Sequence, residues 1–221
     1  MIEFFATKAE DNHWTLQTGG YLVLIALFIL FIIAASLLRQ KNNSHFQTKP
    51  MVFSAVAIAL ATVTSMISLF KMPYGGSVTL FSMMFITSIG YWYGLSIGLT
   101  TAIAYGILQL ILDPYILSIP QLFLDYIFAF GALGLSGLFS NKKNGLIIGY
   151  IIGVFGRFIF STLSGCIFFA DYAPEGLNPV FYSIIYNGLY MGAELILTSV
   201  VMALPPVGNS FQIIKRIALD A

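Results

Sequence analysis

Seven apolar runs follow one another along this chain, with only short polar stretches between them. They cover residues 20–38, 52–70, 80–93, 95–112, 121–139, 146–170 and 180–204. A helix needs roughly 20 apolar residues to cross the hydrocarbon of a bilayer, and six of the seven runs reach about that length. In lipid a backbone must satisfy its own hydrogen bonds, and apolar runs of this length do so as helices. The expected fold class is therefore all-α integral membrane. The run 80–93 is short for a span and is predicted to be tilted or partly re-entrant.

Composition agrees and removes other classes. The chain is 58% hydrophobic and 9% charged, with mean hydropathy +0.90; a soluble domain carries roughly 25% charged residues. A net charge of +1 without a basic cluster gives no footing for nucleic-acid binding. The single cysteine, Cys166, excludes a disulfide framework and a thiolate metal site. His13 and His45 both lie in polar flanks, so no metal centre is expected, and no nucleophile–base pair or phosphate-binding loop is present. The chain reads as a binder or carrier, not an enzyme. Residues 1–19 lack a basic stretch before an apolar core, so a cleaved signal peptide is not expected.

Orientation follows from the lysines and arginines. With the linker after the first run placed in the cytoplasm, Arg39, Lys41, Lys49, Lys142, Lys143, Lys215 and Arg216 fall inside, and only Lys8 and Lys71 fall outside. The expected topology has the N-terminus outside and the C-terminus inside the plasma membrane. The 71–79, 113–120 and 171–179 loops then face outward, where they could close over one pocket.

The polar side chains kept inside the runs are the candidate site, because such groups are costly in hydrocarbon and usually face a protein interior or cavity. Residues 156–194 form the richest stretch: Arg157, Ser161, Ser164, Gly165 and Phe168 share one helical face, an acidic, proline-stiffened loop follows, and the next run carries Tyr182, Tyr186, Asn187, Tyr190 and Glu194. Asp125, about one turn inside its run, either meets a ligand, pairs with Arg157, or sits as a helix-end carboxylate near the positive end of the macrodipole. Asn187 needs partners from another helix or a ligand. Tyr182 is either a site residue or an interfacial belt residue. Ser164 and Gly165 either line a site or let helices approach closely. Glu194 reads best as a buried interhelical hydrogen bond or ion pair. Ala55, Ala57, Ala59 and Ala61 give overlapping small-residue pairs, suited equally to internal packing and to docking a partner subunit.

At these residues the chain resembles the ThiT family, the thiamine-specific substrate-binding (S) components of energy-coupling factor (ECF) transporters. The resemblance spans roughly residues 50–204. It is carried by Phe70-Lys71-Met72-Pro73-Tyr74-Gly75-Gly76-Ser77-Val78-Thr79, Tyr105-Gly106-Ile107-Leu108-Gln109, Pro114-Tyr115-Ile116, Gln121-Leu122-Phe123-Leu124-Asp125-Tyr126, Gly165 through Gly176, and Tyr182 through Gly188. It implies a six-helix S-component core preceded by one extra N-terminal transmembrane helix. The segments are then 1–49 (extracellular segment, extra helix and linker), 50–206 (substrate-binding core) and 207–221 (cytoplasmic tail).

The resemblance further implies that thiamine or a close analogue binds Asp125, Tyr126, Tyr115, Ser161, Gly165, Phe169, Tyr182 and Asn187 in an outward-facing pocket, without a cofactor. Ala57 and Ala61 would dock on an ECF transmembrane coupling subunit, itself joined to two ATPase subunits. Four positions depart from the family's pattern: Asp125 stands for the usual glutamate, Ser161 for a histidine, Phe169 for an aromatic that can be tryptophan, and a first-loop tryptophan of some members falls near Ser77. Two alternatives stay open, an S-component for another heterocycle or a thiamine precursor, and a stand-alone proton-coupled carrier using Glu194.

Overall fold

The computed structural model describes residues 6–8, 14–23, 25–26, 48–72 and 76–219. Most of the expected first span, 20–38, lies outside the described residues; residues 18–23 and 25–26 are helical. Ahead of them, β1 (Ala6–Lys8) pairs antiparallel with β2 (Trp14–Leu16). The core is built from α1 (Thr48–Met66), α2 (Ser82–Tyr93), α3 (Leu95–Leu112), α4 (Ile119–Phe139), α5 (Gly145–Phe168) and α6 (Pro179–Ala203), followed by α7 (Pro205–Leu219). Five of these, α1 and α3 through α6, are long and apolar enough to cross a membrane.

Two expectations change here. The run 52–70 is not one helix. α1 stops at Met66, where Thr64 and Ser65 turn their hydroxyls back onto the carbonyls of Leu60, Ala61 and Thr62 and so compete with the helical ladder. The chain then forms β3 (Ser68–Lys71), paired antiparallel with β4 (Ser77–Thr79). Within the stretch 71–79 expected as a loop, Lys71 and Ser77–Thr79 thus belong to a two-stranded ladder, and the fold is mostly rather than wholly helical.

The short run forms α2, whose 12 residues measure about 18 Å at the α-helical rise, too short to cross the bilayer alone. Ten of the twelve are buried, and α2 contacts α1, α3, α4, α5 and α7. It is the internal spine of the bundle. One residue, Gly94 at φ 87°, separates it from α3, a conformation that favours glycine.

α4 is irregular along its length. It begins at Ser118, whose hydroxyl accepts from the Gln121 N–H, with Pro120 in the first turn. It is π-helical over Phe123–Phe128, where the Ala129 N–H reaches the Leu124 carbonyl, and 3₁₀-helical over Ala132–Phe139. The 3₁₀ half presses on α2 and α3: a Cβ on Gly134 would meet the Leu99 backbone at 2.5 Å, and one on Gly137 the Gly94 backbone at 2.4 Å. Ser136 seals this seam by donating to the Thr87 carbonyl at 2.8 Å.

An exposed apolar belt that includes Val56, Leu60, Phe155, Ile159, Leu189 and Val200 surrounds the bundle, as a lipid-facing surface requires. The alanines of α1 divide between its two faces. Ala57 and Ala61 are buried inside the chain, and the Ala61 carbonyl accepts from the Tyr105 hydroxyl. Ala55 and Ala59 point outward. Ala57 and Ala61, the pair expected to dock a partner, are thus buried within this chain, and Ala55 and Ala59 form the outward small-residue face, since residues two apart on a helix do not share a face. Segment 207–221 is helical up to Leu219, and its helix packs on the core through Phe211 against Trp92.

Candidate functional site

One cavity of about 220 Å³ opens between the β3–β4 hairpin, the start of α4, the end of α5 and the first half of α6. Asp125, Tyr126, Tyr115, Ser161, Gly165, Phe169, Tyr182 and Asn187 all line it. They are far apart in sequence, and helix crossings bring them together.

Asp125 lies on the π-helical turn of α4, a local geometry that often re-aims side chains at functional sites. Its Oδ2 accepts from Gln121 Nε2 at 2.6 Å and from Ser164 Oγ at 2.9 Å. Gln121 is in turn fixed: its Oε1 accepts from the Leu117 N–H, and its Nε2 also reaches the Tyr115 carbonyl. Among the described residues Oδ1 has no protein partner, so the carboxylate is held by one oxygen with the other left for the cavity.

Of the three readings of Asp125, the ion pair with Arg157 is not formed among the described residues. Arg157 lies over the Phe130 ring instead, its guanidinium carbon 4.0 Å from the centroid. Such a contact stabilises a desolvated cation by roughly 2 kcal/mol.

Aromatic rings make up much of the wall. Phe169 stacks on Tyr115 at 5.8 Å between centroids, with 23° between planes, and meets Tyr172 at 5.7 Å. The Tyr115 hydroxyl reaches that of Tyr172. Across the cavity Tyr182, Tyr186 and Tyr190 run up α6 at one-turn spacing, each 5.8 Å from the next. Tyr186 also accepts from the Gly76 N–H at 2.8 Å and so pins the hairpin over the opening. Tyr126 has a supporting part: its hydroxyl accepts from the Tyr115 N–H and donates to the Asp113 carbonyl, which fixes the loop that carries Tyr115.

Asn187 bridges α5 and α6. Its Nδ2 donates to the Ser183 carbonyl at 3.0 Å and to the Ser161 carbonyl at 3.4 Å, and its Oδ1 accepts from Tyr190. Gly165 permits the crossing beside it, since a Cβ there would lie 2.1 Å from Ser183 Oγ. Both readings of Gly165 hold together: it lines the cavity and lets the helices meet.

Glu194, 2% exposed at the cavity floor, resolves into a structural group. Oε2 accepts from the N–H and hydroxyl of Thr79, at 3.1 and 2.7 Å, and Oε1 from Ser82 Oγ and the Met83 N–H, at 3.4 and 3.5 Å. Phe81 precedes α2 at φ 64° and supplies no side-chain cap. A carboxylate from α6 therefore caps α2, where a helix N-terminus favours negative charge. Replacing Glu194 with alanine is expected to destabilise the protein by about 1–3 kcal/mol, the cost of unpairing buried donors. The readout is a lower melting temperature in detergent.

Sequence reasoning offered Tyr186 and Tyr190 as candidates and left Ser164 between site and packing, but did not place Gln121 or Tyr172 in the site. For Gln121 the signal was present, since it lies one turn before Asp125. Among the described residues no three His, Cys, Asp or Glu side chains converge as metal ligands would.

Comparison with known proteins agrees with the geometry. Residues 51–213 match the family described as thiamine transporter protein. The chain is 35% identical over 167 residues to the thiamine transporter ThiT of Bacillus subtilis, covering 69% of this chain and 85% of that one. It is 29% identical over 170 residues to the thiamine transporter ThiT of Lacticaseibacillus paracasei, covering 68% and 81%. The fold is similar to a solved structure of ThiT from Listeria monocytogenes, with TM-score 0.54 and 24% identity over 72% of this chain and 93% of that one. A family match over most of the core, with five membrane-length helices around one aromatic cavity, places this multi-pass membrane protein in the thiamine transporter protein family, a family of transporters and not of enzymes.

Proposed function

We propose that the chain captures thiamine in the α4–α6 cavity as the substrate-binding subunit of an ECF-type importer. The observation that carries this reading is the Asp125 carboxylate, fixed through Oδ2 and open at Oδ1, inside a ring of aromatic side chains. Oδ1 is suited to accept a charge-assisted hydrogen bond from an exocyclic amine on a pyrimidine, or to balance a cationic ring. The faces of Tyr115, Phe169 and Tyr182 attract a cationic heterocycle. Ser161 and Asn187 supply hydrogen-bonding groups on the opposite wall. Tyr126 acts on the ligand through the Tyr115 loop.

The Lys/Arg asymmetry turns the cavity outward and the C-terminus to the cytoplasm. Uptake then depends on a transmembrane coupling subunit and two ATPases. Glu194 is occupied by four donors at the cap of α2, which favours an ATP-driven importer over a proton-coupled carrier built on that residue.

Isothermal titration calorimetry of the detergent-purified protein with thiamine and with its separate pyrimidine and thiazole halves tests the ligand. Calorimetry is preferred to tryptophan quenching because Trp92 packs between Phe53 and Phe211, away from the cavity. Thiamine is expected to bind far more tightly than either half. Absence of heat from a folded, monodisperse sample would overturn the ligand assignment.

A further inference from the structure

A second recess lies at the other end of the bundle, where α4 gives way to α5. It is an open groove of about 590 Å³ lined by Tyr91, Lys143, Gln212, Lys215, Arg216 and Leu219. All three charges on these walls are positive. Asp220, next along the chain, lies outside the described residues.

The groove is organised rather than a chance meeting of surface lysines. Lys215 Nζ sits 3.8 Å from the centre of the Tyr91 ring and donates to the Ser140 carbonyl. Burial pushes its ammonium below the ordinary lysine value, and a nearby anion would offset that cost. Tyr93 ties the end of α7 down by donating to the Ala218 carbonyl at 3.2 Å.

α7 shows three distinct faces at helical spacing. Val207, Phe211, Ile214 and Ala218 turn toward the core. Gln212, Arg216 and Leu219 line the groove. Ile213 and Ile217, both more than half exposed, make a third, apolar face. α7 begins directly after Leu204, which ends α6 in an extended conformation. An amphipathic helix that leaves a membrane span and keeps basic groups beside an exposed apolar face suits the headgroup layer.

We propose that this groove holds the phosphate of an anionic phospholipid, with Lys143 and Arg216 on the headgroup, Lys215 held between them by Tyr91, and Ile213 and Ile217 against the acyl chains. The apolar face decides between the two sources of such a phosphate: a free phosphate has no use for it, and a lipid does. The site shares no lining residue with the thiamine cavity, so it stands or falls independently of that assignment.

The test uses the full chain in nanodiscs of phosphatidylcholine with and without phosphatidylglycerol, read by native mass spectrometry for retained lipid and by melting temperature. A second arm adds inorganic phosphate to the phosphatidylcholine discs. Preferential retention of phosphatidylglycerol and a raised melting temperature are expected, both weakening with salt. Each removed basic residue is worth about fivefold near an anionic surface, so Lys143→Gln with Arg216→Gln should weaken phosphatidylglycerol binding roughly 25-fold. Both side chains are exposed, and an unchanged melting temperature in pure phosphatidylcholine shows that the double variant is folded. Equal retention of phosphatidylcholine, full binding by the folded double variant, or an equal shift from inorganic phosphate would each overturn the proposal. So would loss of co-purification with a coupling subunit in the double variant without any loss of lipid, which would assign the groove to a protein contact.

Discussion

Asp125→Asn is expected to weaken thiamine binding by more than about tenfold while leaving the fold intact. The substitution keeps shape and size but removes the charge, and a hydrogen bond to a charged group contributes about 1.5–3 kcal/mol, which is roughly ten- to 150-fold in affinity. The amide also upsets the anchoring on Oδ2. Gln121 and Ser164 both donate to that oxygen, so an asparagine must keep its carbonyl there and turn its NH₂ toward the cavity. The open position would then offer a donor where the proposed amine needs an acceptor. Calorimetry of the variant reads the loss, and an unchanged melting temperature separates it from unfolding. Unchanged affinity would remove Asp125 from the ligand.

Ala55→Trp combined with Ala59→Trp is expected to abolish co-purification with an ECF coupling subunit and to spare thiamine binding. The two residues point outward from α1, one turn apart, beside exposed Val52, Val56 and Leu60. Small residues spaced four apart let two helices approach closely in a membrane, and indole rings there would hold a partner helix away. Ala57→Trp with Ala61→Trp serves as the contrast. Those positions are 5% and 0% exposed, so overpacking them should lower stability and ligand binding together. If the outward pair can be filled without losing the partner, docking lies on another surface.

The α1 alanines also show how far the sequence could be read. Four alanines at alternate positions announce small-residue faces, but any pair of them fits some face, and only packing against α2 and α3 decides which. Long helices were legible, with α3 at Leu95–Leu112 matching its apolar run, because unbroken hydropathy in lipid leaves the backbone no other structure. The β3–β4 hairpin was not. Its residues 68–70 continue an apolar run, and the hydroxyls that end α1 differ little from hydroxyls tolerated within other spans.

The site divides in the same way. Polar side chains within apolar runs identified Asp125 and Asn187. The partners that orient them, Gln121 from the preceding turn and Ser164 from another helix, depend on how α4 and α5 cross. Glu194 was recognisable as a buried interhelical group, but its target was not, since the N-terminus of α2 is 111 to 115 residues away in the chain.

The π-helical turn of α4 sets the rotational phase of the helix. An α-helix advances about 100° per residue, so a turn that closes its hydrogen bond one residue late shifts everything beyond it relative to everything before. Gln121 ahead of the turn and Asp125 on it keep to the cavity; beyond it Gly134, Ser136 and Gly137 keep to the seam with α2 and α3. One rod thus carries two independently clocked faces, one tuned for a ligand and one for close contact between backbones. Adjustment of the ligand-facing part can be absorbed within the turn itself, without re-indexing the half that holds the bundle together.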